Sequence, residues 1–160
     1  MFVNIHTEQA FNGLPDEDIH AVLMSVHCPV TYAFWLRLRR KRKVRVGARP
    51  VELYAPGYYL YVGSAKRSSG HRVWRHWHGS AKHRWHIDYL RMIAEPSQLY
   101  LFHAEEITEC DLAQRIQSNT SFQVIPRFGS SDCTCKGHLW LLTGDQLDLS
   151  IEARSFLSIS

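Results

Sequence analysis

Gly57 and Gly63 bracket the run Tyr58-Tyr59-Leu60-Tyr61-Val62, and a short polar loop then leads into His71-Arg72-Val73-Trp74-Arg75-His76. An aromatic and β-branched run of this kind suits a pleated, partly buried strand. Ser64, Lys66, Ser68, Ser69 and Gly70 supply loop and capping chemistry, with Ser68 or Ser69 as N-cap of a helix from about 71 to 77. The segment is thereby committed to strand, turn and helix. On that helix Arg72 and His76 stand four residues apart, so both side chains lie on one face. Tyr61, at the end of the strand, can face them.

Hydrophobic periodicity places the other elements around this unit. A short helix is expected over Asp16 to Val26, led by Pro15 and acidic residues that suit a helix start. Strands are expected near 31–38 and 43–47, ahead of 57–63. A helix near 70–78 precedes another over His86 to Ala94, where Ile87, Leu90 and Ile93 keep helical spacing. Gln98 to His103 alternates like a strand, with Leu99 and Leu101 on one face and Tyr100 and Phe102 on the other. Thr108 is positioned to cap a helix through Ile116 that buries Leu112 and Ile116. After Pro126 the chain reads as irregular until a last strand at Leu139 to Leu142.

These elements define an α+β domain with a central antiparallel sheet of about three strands, flanking helices, extra strands and an irregular C-terminal loop. With 160 residues, of which 45% are hydrophobic, the chain can bury a core without disulfides. The expected division is an N-terminal extension over 1–28, one domain over 29–142 and a tail over 143–160. No apolar run approaches a membrane span and no signal-peptide pattern is present, so a cytoplasmic protein without membrane partners is expected. Its cysteines are then thiols or metal ligands.

The net charge of +4 says little by itself, but its distribution is uneven. From Arg37 to Arg45 every residue except Leu38 and Val44 is Lys or Arg. A solvated hairpin turn that protects an edge would carry such charges. So would a nucleic-acid-facing hairpin formed by Arg37, Arg39, Arg40, Lys41, Arg42 and Lys43, with Lys66, Arg67 and Arg75 extending the phosphate-binding surface. The alternation of apolar and basic residues at both ends of the run favours the second.

The residues Tyr61-Val62-Gly63, Arg72 and His76 together resemble the GIY-YIG nuclease superfamily, in which a Tyr-Val/Ile-Gly strand end precedes a helical arginine. Pro29-Val30-Thr31-Tyr32 resembles its first motif, with Val30 in the place of glycine. Four ordered segments bring the likeness closer to a branch of small uncharacterised bacterial and archaeal GIY-YIG-like proteins of the DUF123 type. They are Gly57 to Ala65, Trp85 to Leu90, Glu109 to Ala113 and Phe128 to His138.

The resemblance implies an endonuclease that hydrolyses phosphodiester bonds in DNA with a single Mg²⁺ or Mn²⁺, structure-selective and related to repair. Tyr32, Tyr61, Arg72 and His76 would be catalytic. Arg72 would hold a nonbridging phosphate oxygen, and Tyr32 or Tyr61 would take a proton from water if nearby cations lower a phenol pKa. Glu109 is the best positional match for the metal carboxylate and Asp88 is its rival. Asp88 can equally serve as a helix-start carboxylate. A nucleic-acid-binding module of this fold without turnover is the alternative.

Cys133-Thr134-Cys135-Lys136-Gly137-His138 offers three soft ligands, and Cys110 could complete a tetrahedral structural Zn²⁺ site if its helix packs against this loop. The competing reading makes Cys110 a small buried hydrophobe and leaves the loop thiols free. Of the remaining histidines, His78 and His83 read as solvated and His86 as a packing or hydrogen-bonding residue. Trp74, Trp77 and Trp85 read as core.

Overall fold

The computed structural model describes residues 9–10 and 14–143. In chain order its elements are β1 (Gln9–Ala10), α1 (Asp16–Met24), β2 (Val30–Leu38), β3 (Arg42–Val44), β4 (Glu52–Tyr54), β5 (Gly57–Ala65), α2 (Ser69–His78), α3 (His86–Arg91), β6 (Glu95–His103), α4 (Glu109–Gln117), β7 (Phe122–Val124) and β8 (Leu139–Leu142). The tail from 144 onward, with its alternating Leu147, Leu149 and Ile151, lies outside the described residues.

Period-two patterning becomes a two-faced sheet. β2 pairs antiparallel with β5 on one side and β6 on the other, at the centre of a six-stranded sheet ordered β1-β6-β2-β5-β8-β7. Tyr32, Phe34, Tyr61, Leu99 and Leu101 share one buried cluster with Ile19 and Leu23 of α1, Val73 of α2 and Ile87 of α3. Ala33, Leu60, Val62, Tyr100 and Phe102 enter a second cluster with Leu112 and Ile116 of α4. The expected α+β architecture is therefore present, with helices on both faces of an antiparallel sheet.

The basic run does not form the expected hairpin between 31–38 and 43–47. β3 pairs with β4 as a separate two-stranded ribbon, and β2 pairs with β5 instead. This ribbon lies in the chain between Tyr32 and Tyr61. Pro96 sits where the β2–β6 register shifts between Trp35 and Leu36, a place where the missing N–H is tolerated.

Two close approaches fix the helices. A Cβ at Gly70 would stand 1.6 Å from the Leu23 carbonyl oxygen, so α1 and α2 cross backbone to backbone only because residue 70 is glycine. Ser68 occupies the N-cap position of α2 with φ of 47° and makes no side-chain cap, whereas the Ser69 hydroxyl donates to the Cys28 carbonyl at 2.7 Å. At α4 the expected cap forms in full: Thr108 Oγ1 accepts from Asp111 N, and the Asp111 carboxylate accepts from Thr108 N.

Candidate active site

Register brings the two tyrosines together. Tyr32 lies opposite Gly63 and Phe34 opposite Tyr61, so both phenols stand on the same sheet face, with ring centroids 6.2 Å apart. A Cβ at residue 63 would lie 2.5 Å from Tyr32 Cζ. Glycine after Tyr61-Val62 thus leaves room for the Tyr32 ring to cross the neighbouring strand. From α2, His76 meets this ring, its Nδ1 being 2.5 Å from the Tyr32 hydroxyl.

Burial controls the chemistry of this group. Removal from water raises the Tyr32 pKa well above the usual phenol value, and the charges of Tyr61 and Glu109 add to it while Arg72 opposes. Burial also raises Tyr61, with Glu109 reinforcing the effect. The condition that nearby cations lower a phenol pKa is not met, since desolvation outweighs Arg72. His76 is lowered to about 4 by burial, with Arg72 and Arg75 acting in the same direction and Asp88 opposing them. With phenol protonated and imidazole neutral, we assign the hydroxyl as donor to Nδ1. His76 Nε2 has no hydrogen-bond partner.

Arg72 rises from the same face of α2. Its guanidinium packs over the Trp85 ring at 5.0 Å and donates to the Ser64 carbonyl at 3.3 Å. Glu109 arrives from the opposite side of the sheet, as the first residue of α4. Its Oε2 accepts from the Ser64 hydroxyl at 2.6 Å, and its Oε1 lies 2.7 Å from His138 Nδ1 in a contact not aligned as a hydrogen bond. Tyr32, Tyr61, Arg72, His76 and Glu109 all line one cleft of about 270 Å³.

Asp88 occupies another position. Its Oδ2 accepts from Arg84 N at 2.8 Å, Trp85 N at 3.0 Å and Arg75 Nη2 at 3.1 Å, and it is not among the residues lining the cleft. It is the helix-start carboxylate of α3. Arg75, expected on the phosphate-binding surface, is held by Asp88, by the Lys82 carbonyl and by the Trp85 ring at 4.9 Å.

The other expected cations are exposed. Arg37, Arg39, Arg40, Lys41, Arg42 and Lys43 line the passage from β2 into the ribbon, and Lys66 and Arg67 lie in the β5–α2 loop. Arg39 pairs with Glu95 at 3.1 Å, an exposed pair that stabilises little. Cys110, Cys133, Cys135 and His138 come together, their ligand atoms all within 4.8 Å of one another. Partial burial and the adjoining Cys110 and Cys133 thiols push Cys135 up to about 12.

Several contributors had no local signal. Ser64 anchors Glu109, and Arg84, Ser131 and Asp132 complete the rim of the cleft. Trp85 supports two guanidiniums as well as packing on the core. His78 is exposed, as expected, with its ring stacked on Trp74 at 4.9 Å, and His83 is half-buried against Tyr89 at 4.5 Å. His86 Nδ1 accepts from Gly129 N at 2.9 Å, the hydrogen-bonding role expected of it, and ties the cleft loop to α3.

Residues 31–156 match the domain family described as Domain of unknown function DUF123. The chain belongs to the DUF123 family. The match spans β2 through β8, and so takes in every cleft residue named above, while α1 precedes it. Comparison with curated proteins and with solved structures gave no match. No helix among the described residues is long and apolar enough to cross a membrane.

Proposed function

We propose that this DUF123 cleft is the active site of a divalent-metal-dependent endonuclease of the GIY-YIG type, hydrolysing phosphodiester bonds in DNA. The observation that carries the reading is convergence: two phenols, an imidazole, a guanidinium and a carboxylate from β2, β5, α2 and α4 meet in one cleft. Such a set supplies proton transfer, phosphate binding and cation binding, the three needs of phosphodiester hydrolysis.

Glu109 would hold the cation. A single accessible carboxylate is a hard oxygen donor that leaves the rest of the coordination shell to water and phosphate oxygens, which fits Mg²⁺ or Mn²⁺. The bound ion would neutralise charge building up on the phosphate and the leaving oxygen. Arg72, propped on Trp85, donates to a nonbridging phosphate oxygen. The Tyr32 oxygen accepts a proton from the attacking water while its own proton passes to His76 Nδ1, so the imidazole becomes the acceptor and no free phenolate is needed. A phosphate on Arg72 offsets one cation that lowers His76, and Asp88 stabilises the imidazolium. The exposed cations from Arg37 to Lys43 would contact the DNA backbone.

The high phenol pKa values and the low imidazole pKa favour a second reading, a module that binds DNA without cleaving it. Both are tested by incubating branched, single-stranded and duplex DNA with Mg²⁺ or Mn²⁺ and the parent chain or Arg72→Ala. Metal-dependent cleavage lost in the variant supports the nuclease. Retained binding with no cleavage by the parent supports the module.

A further inference from the structure

The β7–β8 loop carries a donor set that the nuclease reading does not use. Cys110 is the second residue of α4, Cys133 and Cys135 lie in the loop, and His138 immediately precedes β8. Their four ligand atoms lie within 4.8 Å of one another, and Cys133 Sγ is 3.6 Å from His138 Nε2. A tetrahedral zinc with bonds of about 2.3 Å to sulfur and about 2.0 Å to nitrogen holds its donors about 3.5 to 3.8 Å apart, so small movements close the set. Three thiols and one imidazole without a carboxylate select zinc over Mg²⁺ or Mn²⁺.

Phe128 in the core and the Gly129 amide on His86 hold the start of this loop, whereas residues 131–136 are largely exposed. Between β7 and β8 there is no helix or strand, and backbone bonds such as Arg127 N to the Lys136 carbonyl at 2.6 Å and His138 N to the Phe128 carbonyl at 2.7 Å close its base. Yet the loop supplies Gly129, Ser131 and Asp132 to the cleft wall. All four cysteines of the chain are free thiols, and three of them are gathered here.

We propose that Cys110, Cys133, Cys135 and His138 bind a structural Zn²⁺, and that His138, ligating through Nε2, presents Nδ1–H to Glu109 Oε1. Ligation through Nε2 places the ring hydrogen on Nδ1, which is buried without a hydrogen-bond partner 2.7 Å from the carboxylate, so the small movement that closes the donor set has only to turn the ring into line. The zinc thus pins the loop to α4 and, through His138 as a positioning residue, fixes the carboxylate that faces the cleft. This second part rests on the nuclease reading, and the zinc site itself does not.

The test starts from protein produced with added zinc and purified without chelator. About one zinc per chain and X-ray absorption showing three sulfurs and one nitrogen are expected. Cys133→Ser and Cys135→Ser lose the metal, whereas Cys28→Ser keeps it. Because loss of a ligand can also unfold the loop, His138→Cys provides a second variant: a four-sulfur site retains zinc but cannot reach Glu109. Its affinity for Mn²⁺, followed by electron paramagnetic resonance, is expected to fall about tenfold or more.

Zinc below about a tenth per chain, or a disulfide joining two of the three cysteines, overturns the site. Unchanged Mn²⁺ affinity in zinc-loaded His138→Cys overturns the positioning role. Full zinc with neither Mn²⁺ binding nor cleavage in the parent counts against the nuclease and leaves the zinc site standing. Mn²⁺-dependent cleavage by a zinc-free parent does the reverse.

Discussion

The Tyr32 hydroxyl and His76 Nδ1 meet at 2.5 Å across the join between β2 and α2, with both side chains almost wholly buried. A phenol that keeps its proton and an imidazole that stays neutral make a relay in which each group needs the other. Tyr32→Phe removes the donor and leaves Nδ1 buried without a partner, at a cost of about 1 to 3 kcal/mol in a denaturant melt. Cleavage is expected to fall about 100-fold or more while DNA binding holds. A variant that cleaves like the parent would remove Tyr32 from the proton path.

The same pair makes stability depend on pH. An imidazole near 6.5 in the unfolded chain is lowered to about 4 in the fold, so between these values the unfolded state binds more protons. Stability is therefore fully present above about pH 6.5 and is lost as pH falls through about 4, by about 3 kcal/mol at most. Urea melts across that window should show the decline, and His76→Gln should flatten it.

Gly63 is constrained by contact with Tyr32. In Gly63→Ala the new methyl would stand 2.5 Å from Cζ of a ring packed among Phe34, Tyr61 and His76. A stability loss of about 1 to 3 kcal/mol is expected from the overpacking. Displacement of the hydroxyl from His76 should lower cleavage per folded molecule about tenfold or more. Cleavage assays normalised by circular dichroism would separate the two effects.

Two carboxylates should respond in opposite ways. Asp88→Asn weakens the pairing with Arg75 and the acceptor for two backbone amides, and should cost about 2 to 4 kcal/mol; with less support for the His76 imidazolium, folded molecules should cleave more slowly but keep their Mg²⁺-dependent turnover. Glu109→Gln should leave the melt nearly unchanged and abolish Mg²⁺-dependent turnover. The reverse pattern would make Asp88 the metal carboxylate.

Reversing charge at the exposed Arg40 and Arg42 tests the surface around the β3–β4 ribbon. Arg40→Glu with Arg42→Glu should weaken DNA binding and reduce the salt slope by about two, one per lost phosphate contact. Filter binding at several salt concentrations reads both quantities. Unchanged binding would leave these charges as solvated edge residues.

How far the sequence was legible follows from how local each signal is. Tyr58 to Val62 and Leu99 to Phe102 announce their strands because each neighbour faces the opposite way, and the two buried clusters divide along that alternation. Thr108 announces α4 because its cap partner Asp111 is three residues away. The ribbon was missed because Glu52–Tyr54 is too short to show a period, and its pairing with Arg42–Val44 is a tertiary choice. The direction of the phenol pKa values was not legible because the cation Arg72 is visible in the sequence and the burial of Tyr32 is not. Ser64 and His138 reach Glu109 only after the sheet is assembled.

Where Gly70 meets Leu23 there is no side chain between the two helices, and the Gly70 amide donates to the Val26 carbonyl at 3.3 Å. Beside that approach His20 of α1 packs edge-on against Trp74 of α2 at 4.8 Å, so the position of α1 sets that of the helix that aims Arg72 and His76. The helix ahead of the DUF123 match acts as the keystone for that aim, so a fragment beginning at residue 31 would contain every reacting group and lack the part that points two of them.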